Sequence, residues 1–184
     1  MDLVIGAPRY EEFFLALTSK SAIYPYQARL QEVLASGGNV VLRAPTGAGK
    51  TWAVAAPFLY SWLYATPETR MADRLIYALP LRSLATGLYR STTEAFGHYV
   101  AGTDVSPKPK IRLQIGGQQD DPLFEGGLIF TTIDQLLSGY IMCPVSASER
   151  LANVIPGSLL GSLLWFSMKF ICSSGNCLWP RCWR

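Results

Sequence analysis

Apolar positions along the chain follow two periods that take turns. Tyr10 to Leu17 places Phe13, Phe14 and Leu17 on one side, as a short helix would. After Ile23-Tyr24-Pro25-Tyr26-Gln27 a second amphipathic helix runs through Leu30, Val33 and Leu34, and Gly37-Gly38 ends it with residues that tolerate positive φ. Asn39-Val40-Val41-Leu42 reads as a buried-type strand, and Thr51 to Tyr64 is helix-compatible. Arg74 to Leu79 predicts another strand and Leu81 to Phe96 another helix. Ala101 to Lys110 holds two prolines, one glycine and no apolar period, which predicts a loop. Ile111 to Ile115 alternates apolar and polar residues like a strand, and Gly116-Gly117 breaks it. Gly127 to Thr131 predicts one more short strand, Ile133 to Ile141 a helix, and Gly161 to Leu164 a last strand. Short apolar strands alternating with helices predict an α/β fold, a mainly parallel sheet flanked by helices on both faces.

Composition changes this picture little. With 49% hydrophobic and 16% charged residues over 184 positions, the chain excludes an intrinsically disordered segment and suffices for one domain with a core. A net charge of +3 permits a nucleic-acid partner without arguing for one. No basic segment precedes an apolar one at the N-terminus, so a cytoplasmic setting is expected. Ile155 to Ile171 is largely apolar, but Pro156, Gly157, Gly161 and Lys169 argue against a membrane span. Cys172, Cys177 and Cys182 are spaced C-x4-C-x4-C with His98 far away, which does not match the paired spacing of a zinc site.

The chemistry concentrates at Ala44-Pro45-Thr46-Gly47-Ala48-Gly49-Lys50-Thr51. An apolar run leads in and a helix leads out, the context that a phosphate-binding loop requires. Gly47 and Gly49 let the backbone approach a phosphate, and the N–H groups of the turn and first helical residues point at the anion. Lys50 adds a mobile positive charge, and the Thr51 hydroxyl suits a Mg²⁺ ligand. Ala44 departs from the strict G-x-x-x-x-G-K-[ST] pattern, which has glycine there. The expected nucleotide contacts are Thr46, Gly47, Ala48, Gly49, Lys50 and Thr51, for a nucleoside triphosphate with its metal.

Other short motifs follow in a fixed order. Gln27 precedes the loop, Pro80-Leu81-Arg82-Ser83-Leu84-Ala85 follows one strand, Gly116-Gly117-Gln118 another, and Thr131-Thr132-Ile133-Asp134-Gln135-Leu136 a third. This order resembles the first RecA-like domain of superfamily 2 helicases, and within them the CRISPR-associated helicase of type I interference systems. The resemblance spans residues 24–164, with 1–23 as a helical lead-in. It implies ATP and Mg²⁺ as cofactors, with Gln27 on the adenine edge. Tyr24 either stacks on the base or simply packs. Pro80, Arg82, Ser83, Gly117, Thr131, Thr132 and Gln135 would hold a single-stranded DNA backbone, although Arg82 suits a solvated surface equally well. By the same resemblance, partners would be a CRISPR surveillance complex and a nuclease domain or subunit, with no membrane involved.

The resembled family follows its next strand with a D-E-x-H box that holds Mg²⁺ and orients the attacking water. Here no acidic residue occurs after Glu149. The single codons of Trp165 and Met168 constrain the underlying bases. A frame begun at the third base of the Trp165 codon permits Val-Leu-Asp-Glu-Val-His-Leu-Leu. The expectation is therefore an incomplete RecA-like domain whose residues 165–184 are an out-of-frame tail. A genuine unusual C-terminus is the competing reading. Nucleotide binding that is weak at best, without helicase turnover, follows; the rivals are a non-catalytic P-loop module and a P-loop ATPase unrelated to helicases.

Overall fold

A computed structural model describes residues 6–103, 108–116, 118–119, 125–140 and 163–166. Five helices are formed in these residues: α1 (Tyr10–Thr18), α2 (Pro25–Ala35), α3 (Lys50–Tyr64), α4 (Arg82–Ala101) and α5 (Ile133–Tyr140). They accompany five strands: β1 (Leu75–Leu79), β2 (Ile111–Ile115), β3 (Gln118–Gln119), β4 (Leu128–Thr132) and β5 (Leu163–Phe166). The strands form one sheet in the order β3-β2-β4-β1-β5. β1 pairs in parallel with β4 and β5, β4 in parallel with β2, and only β3 runs antiparallel, against β2.

The two faces of the sheet are covered unequally. Leu75, Tyr77 and Leu79 of β1 join Leu113, Ile115, Leu128 and Phe130 in the main core, with α1 to α4 packed above them. Ile76, Ala78 and Ile129 point the other way, against Leu136 and Ile133 of α5. Every residue of β1 and β4 is buried, as parallel strands with two covered faces require.

α3 is the most deeply placed helix, with every residue from Ala53 to Ser61 buried. It rests against α1 through an aromatic cluster in which the Phe13 ring meets Tyr60 at 5.3 Å, Tyr64 at 6.1 Å and Tyr99 of α4 at 4.9 Å. The last two contacts are edge-on, the geometry that aromatic quadrupoles favour. The hydroxyls of Tyr64 and Tyr99 meet at 2.5 Å and satisfy each other in a partly buried position. No helix among the described residues is long and apolar enough to cross a membrane.

Three expectations are corrected. Asn39 to Leu42 forms no strand. Its burial alternates as a strand's would, with Val40 and Leu42 against the main core and Val41 99% exposed. A strand exists through its ladder, however, and no described strand pairs with this run. Gln27 does not precede α2 but lies in its first turn, because Pro25 pre-sets the first helical φ and starts the helix earlier. The strand expected at Gly161 to Leu164 forms at Leu163–Phe166, beside β1 at the end of the described strand order. β3 was not anticipated, since two residues carry no periodicity. Residues 167–184, including the cysteine-rich stretch, lie outside the described residues.

Replacing Phe13 by Ala removes the ring shared by α1, α3 and α4. The expected loss is about 3–5 kcal/mol of unfolding free energy, to be read from urea denaturation of the two proteins side by side.

Candidate nucleotide and nucleic-acid sites

The loop from Ala44 to Gly49 is held by side chains rather than by a sheet. Gly47 and Gly49 take φ of +84° and +78°, the left-handed region open to glycine. Gly49 caps α3, whose first intrahelical bond runs from Ala53 N–H to the Gly49 carbonyl at 3.0 Å. The N–H groups of Lys50, Thr51 and Trp52 therefore emerge at the amino end of the helix without partners from its own turns. Thr46 and Gly47 are exposed; Ala48, Lys50 and Thr51 are half-buried. The Lys50 ammonium folds back across the loop and donates to the Ala44 carbonyl at 2.7 Å and the Pro45 carbonyl at 2.6 Å.

α2 supplies the rest of the scaffold. Gln27 is 2% exposed and uses both ends of its amide. Its Oε1 accepts from the Tyr24 N–H at 3.0 Å, closing the capping box of α2, and its Nε2 donates to the Gly49 carbonyl at 3.2 Å. The approach is close enough that a Cβ on Gly49 would lie 2.9 Å from Nε2. Tyr26, one residue earlier, donates its hydroxyl to the Ala48 carbonyl. Burial is the main cause that pushes this phenol above its ordinary range, opposed by the hydrogen bond with Gln27. Tyr24 is 56% exposed and stacks on the Tyr26 ring at 6.1 Å and 13°. Sequence reasoning passed over Tyr26; its place in the turn before a helix, beside a candidate ligand, was the available signal.

The donor set fits a polyphosphate: backbone N–H groups at a helix terminus, a lysine at the mouth, and a left-handed glycine at 47 with nothing within 4 Å of an added Cβ. For a divalent metal the chain offers the Thr51 hydroxyl, on the first turn of α3, with phosphate and water oxygens completing a shell. No group of three or more His, Cys, Asp or Glu that could hold a metal lies among the described residues.

A separate cleft of about 340 Å³ opens at the carboxyl ends of the parallel strands. Pro80, Leu81 and Arg82 follow β1, Gly116 follows β2, and Thr132, Asp134, Gln135 and Ser138 follow or end β4. Of the seven residues expected to hold a nucleic acid, Pro80, Arg82, Thr132 and Gln135 are thus brought together. Ser83 is exposed on α4 but does not line the cleft. Thr131 is fully buried, its hydroxyl turned to the Thr132 carbonyl at 3.4 Å, so it supports the cleft wall from behind. Gly117 lies outside the described residues. Gly116 was overlooked as a lining residue, although the double glycine pointed to it. The guanidinium of Arg82 lies so near that a Cβ on Gly116 would stand 2.6 Å from Nη2. Asp134 adds an exposed carboxylate to the same wall.

The family model of DEAD/DEAH box helicases matches residues 24–152. CRISPR-associated helicase Cas3 of Thermoproteus tenax is 32% identical over 145 residues, covering 74% of this chain and 24% of that relative. ATP-dependent DNA helicase Hel308 of Thermoplasma acidophilum is 32% identical over 117 residues, covering 62% of this chain and 15% of that relative. Among solved structures, the DUF1998 helicase MrfA bound to DNA and AMPPNP superposes with a TM-score of 0.55 at 24% identity, over 73% of this chain and 19% of that one. That likeness is one of fold, and it agrees with a partial RecA-like α/β domain. The chain spans a quarter or less of the length of each of these proteins.

Both loop glycines are left-handed, but only Gly49 is crowded. Gly47→Ala should lose about 1–2 kcal/mol, the left-handed cost of a Cβ. Gly49→Ala should lose more and release the Gln27 amide. Urea unfolding of both variants checks the order.

Proposed function

Since the chain belongs to the DEAD/DEAH box helicase family, we propose that its phosphate loop binds ATP with Mg²⁺ and that its cleft takes a single strand of DNA. The observation that carries this reading is the joint fastening of the loop. Gln27 and Tyr26 hold consecutive carbonyls from α2, and Lys50 closes the loop from α3. Such a loop keeps its N–H groups outward, where oxygens of a triphosphate would replace the carbonyls now bound by Lys50. Gln27 reaches the loop through Nε2 and the α2 cap through Oε1, so recognition of an adenine edge would require its amide to exchange one of these bonds. Thr51 would carry the metal. Bound Mg²⁺ supplies charge neutralisation between the phosphates; the chain's own residues bind and orient them.

The cleft reading is carried by Arg82, which sits at the amino end of α4 against Gly116, where a guanidinium and a helix terminus serve the same phosphate. Pro80, Thr132 and Gln135 would follow the backbone without reading bases. The similarity to Cas3 supports a place in CRISPR interference, beside a surveillance complex and a nuclease domain or subunit, in the cytoplasm.

Hydrolysis is a different matter. β5 leads into a stretch with no Asp or Glu in any later position, so the carboxylates that would hold metal and orient water are absent from that place. We infer that the chain binds ATP and turns none over.

Two measurements test these statements. Lys50→Ala should lower affinity for a fluorescent ATP analogue at least tenfold, while the wild-type protein shows no phosphate release. Release that Lys50→Ala abolishes would refute the second statement, and binding untouched by Lys50→Ala would refute the first. Arg82→Ala should weaken binding of an oligonucleotide alike for all sequences and flatten its log–log salt slope by about 0.7. An unchanged slope would remove Arg82 from the interface.

A further inference from the structure

The residue immediately before Gln27 has a role that the nucleotide reading alone does not assign. Tyr26 donates its hydroxyl to the carbonyl of Ala48, the peptide that leads into Gly49. In a trans peptide the carbonyl and the following N–H point in opposite directions. Holding the Ala48 oxygen toward α2 therefore turns the Gly49 N–H away from Tyr26, toward the open side of the loop. The next peptide is held in the same sense, since Gln27 Nε2 binds the Gly49 oxygen at 3.2 Å.

Steric hindrance does not enforce this arrangement. Gly49 sits at φ +78°, and glycine takes negative φ about as readily, so the Ala48–Gly49 peptide plane is free to turn over. Turned over, it would direct a carbonyl oxygen at an incoming phosphate where the present loop offers an N–H. The Ala48 backbone also makes a long 3.4 Å turn bond from its N–H to the Pro45 carbonyl, but that bond lies on the far side of Ala48 Cα and does not fix the Ala48–Gly49 peptide. The tyrosine is itself well fixed. Its ring stacks on Tyr24, and Pro25 between them sets the start of α2. A phenol is a neutral donor at physiological pH, and burial pushes this one further in the same direction.

We propose that Tyr26 is a positioning residue for phosphate binding, which selects the orientation of the Ala48–Gly49 peptide so that the Gly49 N–H faces the polyphosphate. The proposal rests on the nucleotide-binding reading above and adds to it which side chain sets the loop's polarity. It concerns phosphates and not the base.

The test compares the 184-residue chain with Tyr26→Phe, which removes one oxygen and keeps the ring. Affinity is measured for ATP, for inorganic tripolyphosphate and for adenosine, together with the melting temperature. Loss of one net hydrogen bond corresponds to roughly five- to tenfold. ATP and tripolyphosphate should both weaken by that factor, with adenosine affinity unchanged and the melting temperature lowered by no more than about 2–4 °C, the share of one lost hydrogen bond. An equal loss for adenosine would make Tyr26 a base contact and overturn the proposal, and so would tripolyphosphate affinity equal to wild type. Should the variant not fold, the wild-type protein still decides: the Gly49 amide resonance must shift on titration with tripolyphosphate, and a resonance that stays in place overturns the proposal. Lys50→Ala separates the two levels. If it leaves ATP affinity intact, the nucleotide site itself is wrong. If it abolishes binding while Tyr26→Phe behaves as wild type, only the role of Tyr26 falls.

Discussion

The deep burial of α3 is the constraint from which the rest of the site follows. From Ala53 to Ser61 the helix has no solvent-facing residue, and aromatic rings from α1 and α4 close over its far end. Sliding or rotating it would expose a continuous apolar surface at about 25 cal/mol per Å². Its amino end is therefore a fixed point, and the partly charged N–H groups there lie in a constant place and direction. The loop before it lacks a comparable anchor among the described strands, which is why its fastening falls to Gln27, Tyr26 and Lys50. Rigidity is inherited from the helix and handed to the loop through three side chains.

The cleft obeys a different logic. Parallel pairing of β1 with β4 and of β4 with β2 brings three carboxyl ends to one edge of the sheet, so segments far apart in sequence meet there without any contact designed between them. Local fit then depends on small residues. Arg82 crosses the backbone at Gly116, and a side chain at 116 would require the guanidinium to move aside. Asp134 sits on the same wall with the opposite charge, so the cleft is not uniformly basic.

Much of this was legible in the sequence, for physical reasons that differ by element. β1, β2 and β4 were found because five-residue strands buried on one or both faces leave a plain apolar signature. α1 and α3 were bounded to within a residue, since tertiary burial and helical period agree there. α4 runs on to Ala101 because its last turn keeps a buried Val100 on the period. Asn39 to Leu42 carried the signature of a strand and still formed none, because pairing is a property of neighbours and not of the run itself. The phosphate loop was identified by its glycines and lysine. What ties it down was hidden, because Tyr26 and Gln27 meet it only through a fold that brings together residues twenty-two apart. The division of Thr131 from Thr132, one buried behind the cleft and one on its wall, follows from the alternation of β4 and could have been read from it.

The contact between Gln27 and Gly49 has an outcome for descent as well as for binding. The amide occupies the volume that a methyl on residue 49 would claim, so a change at 49 is felt at 27. A side chain at 49 would need the one at 27 to shorten or turn aside and would still bear the left-handed φ, so two separate constraints hold glycine at this position.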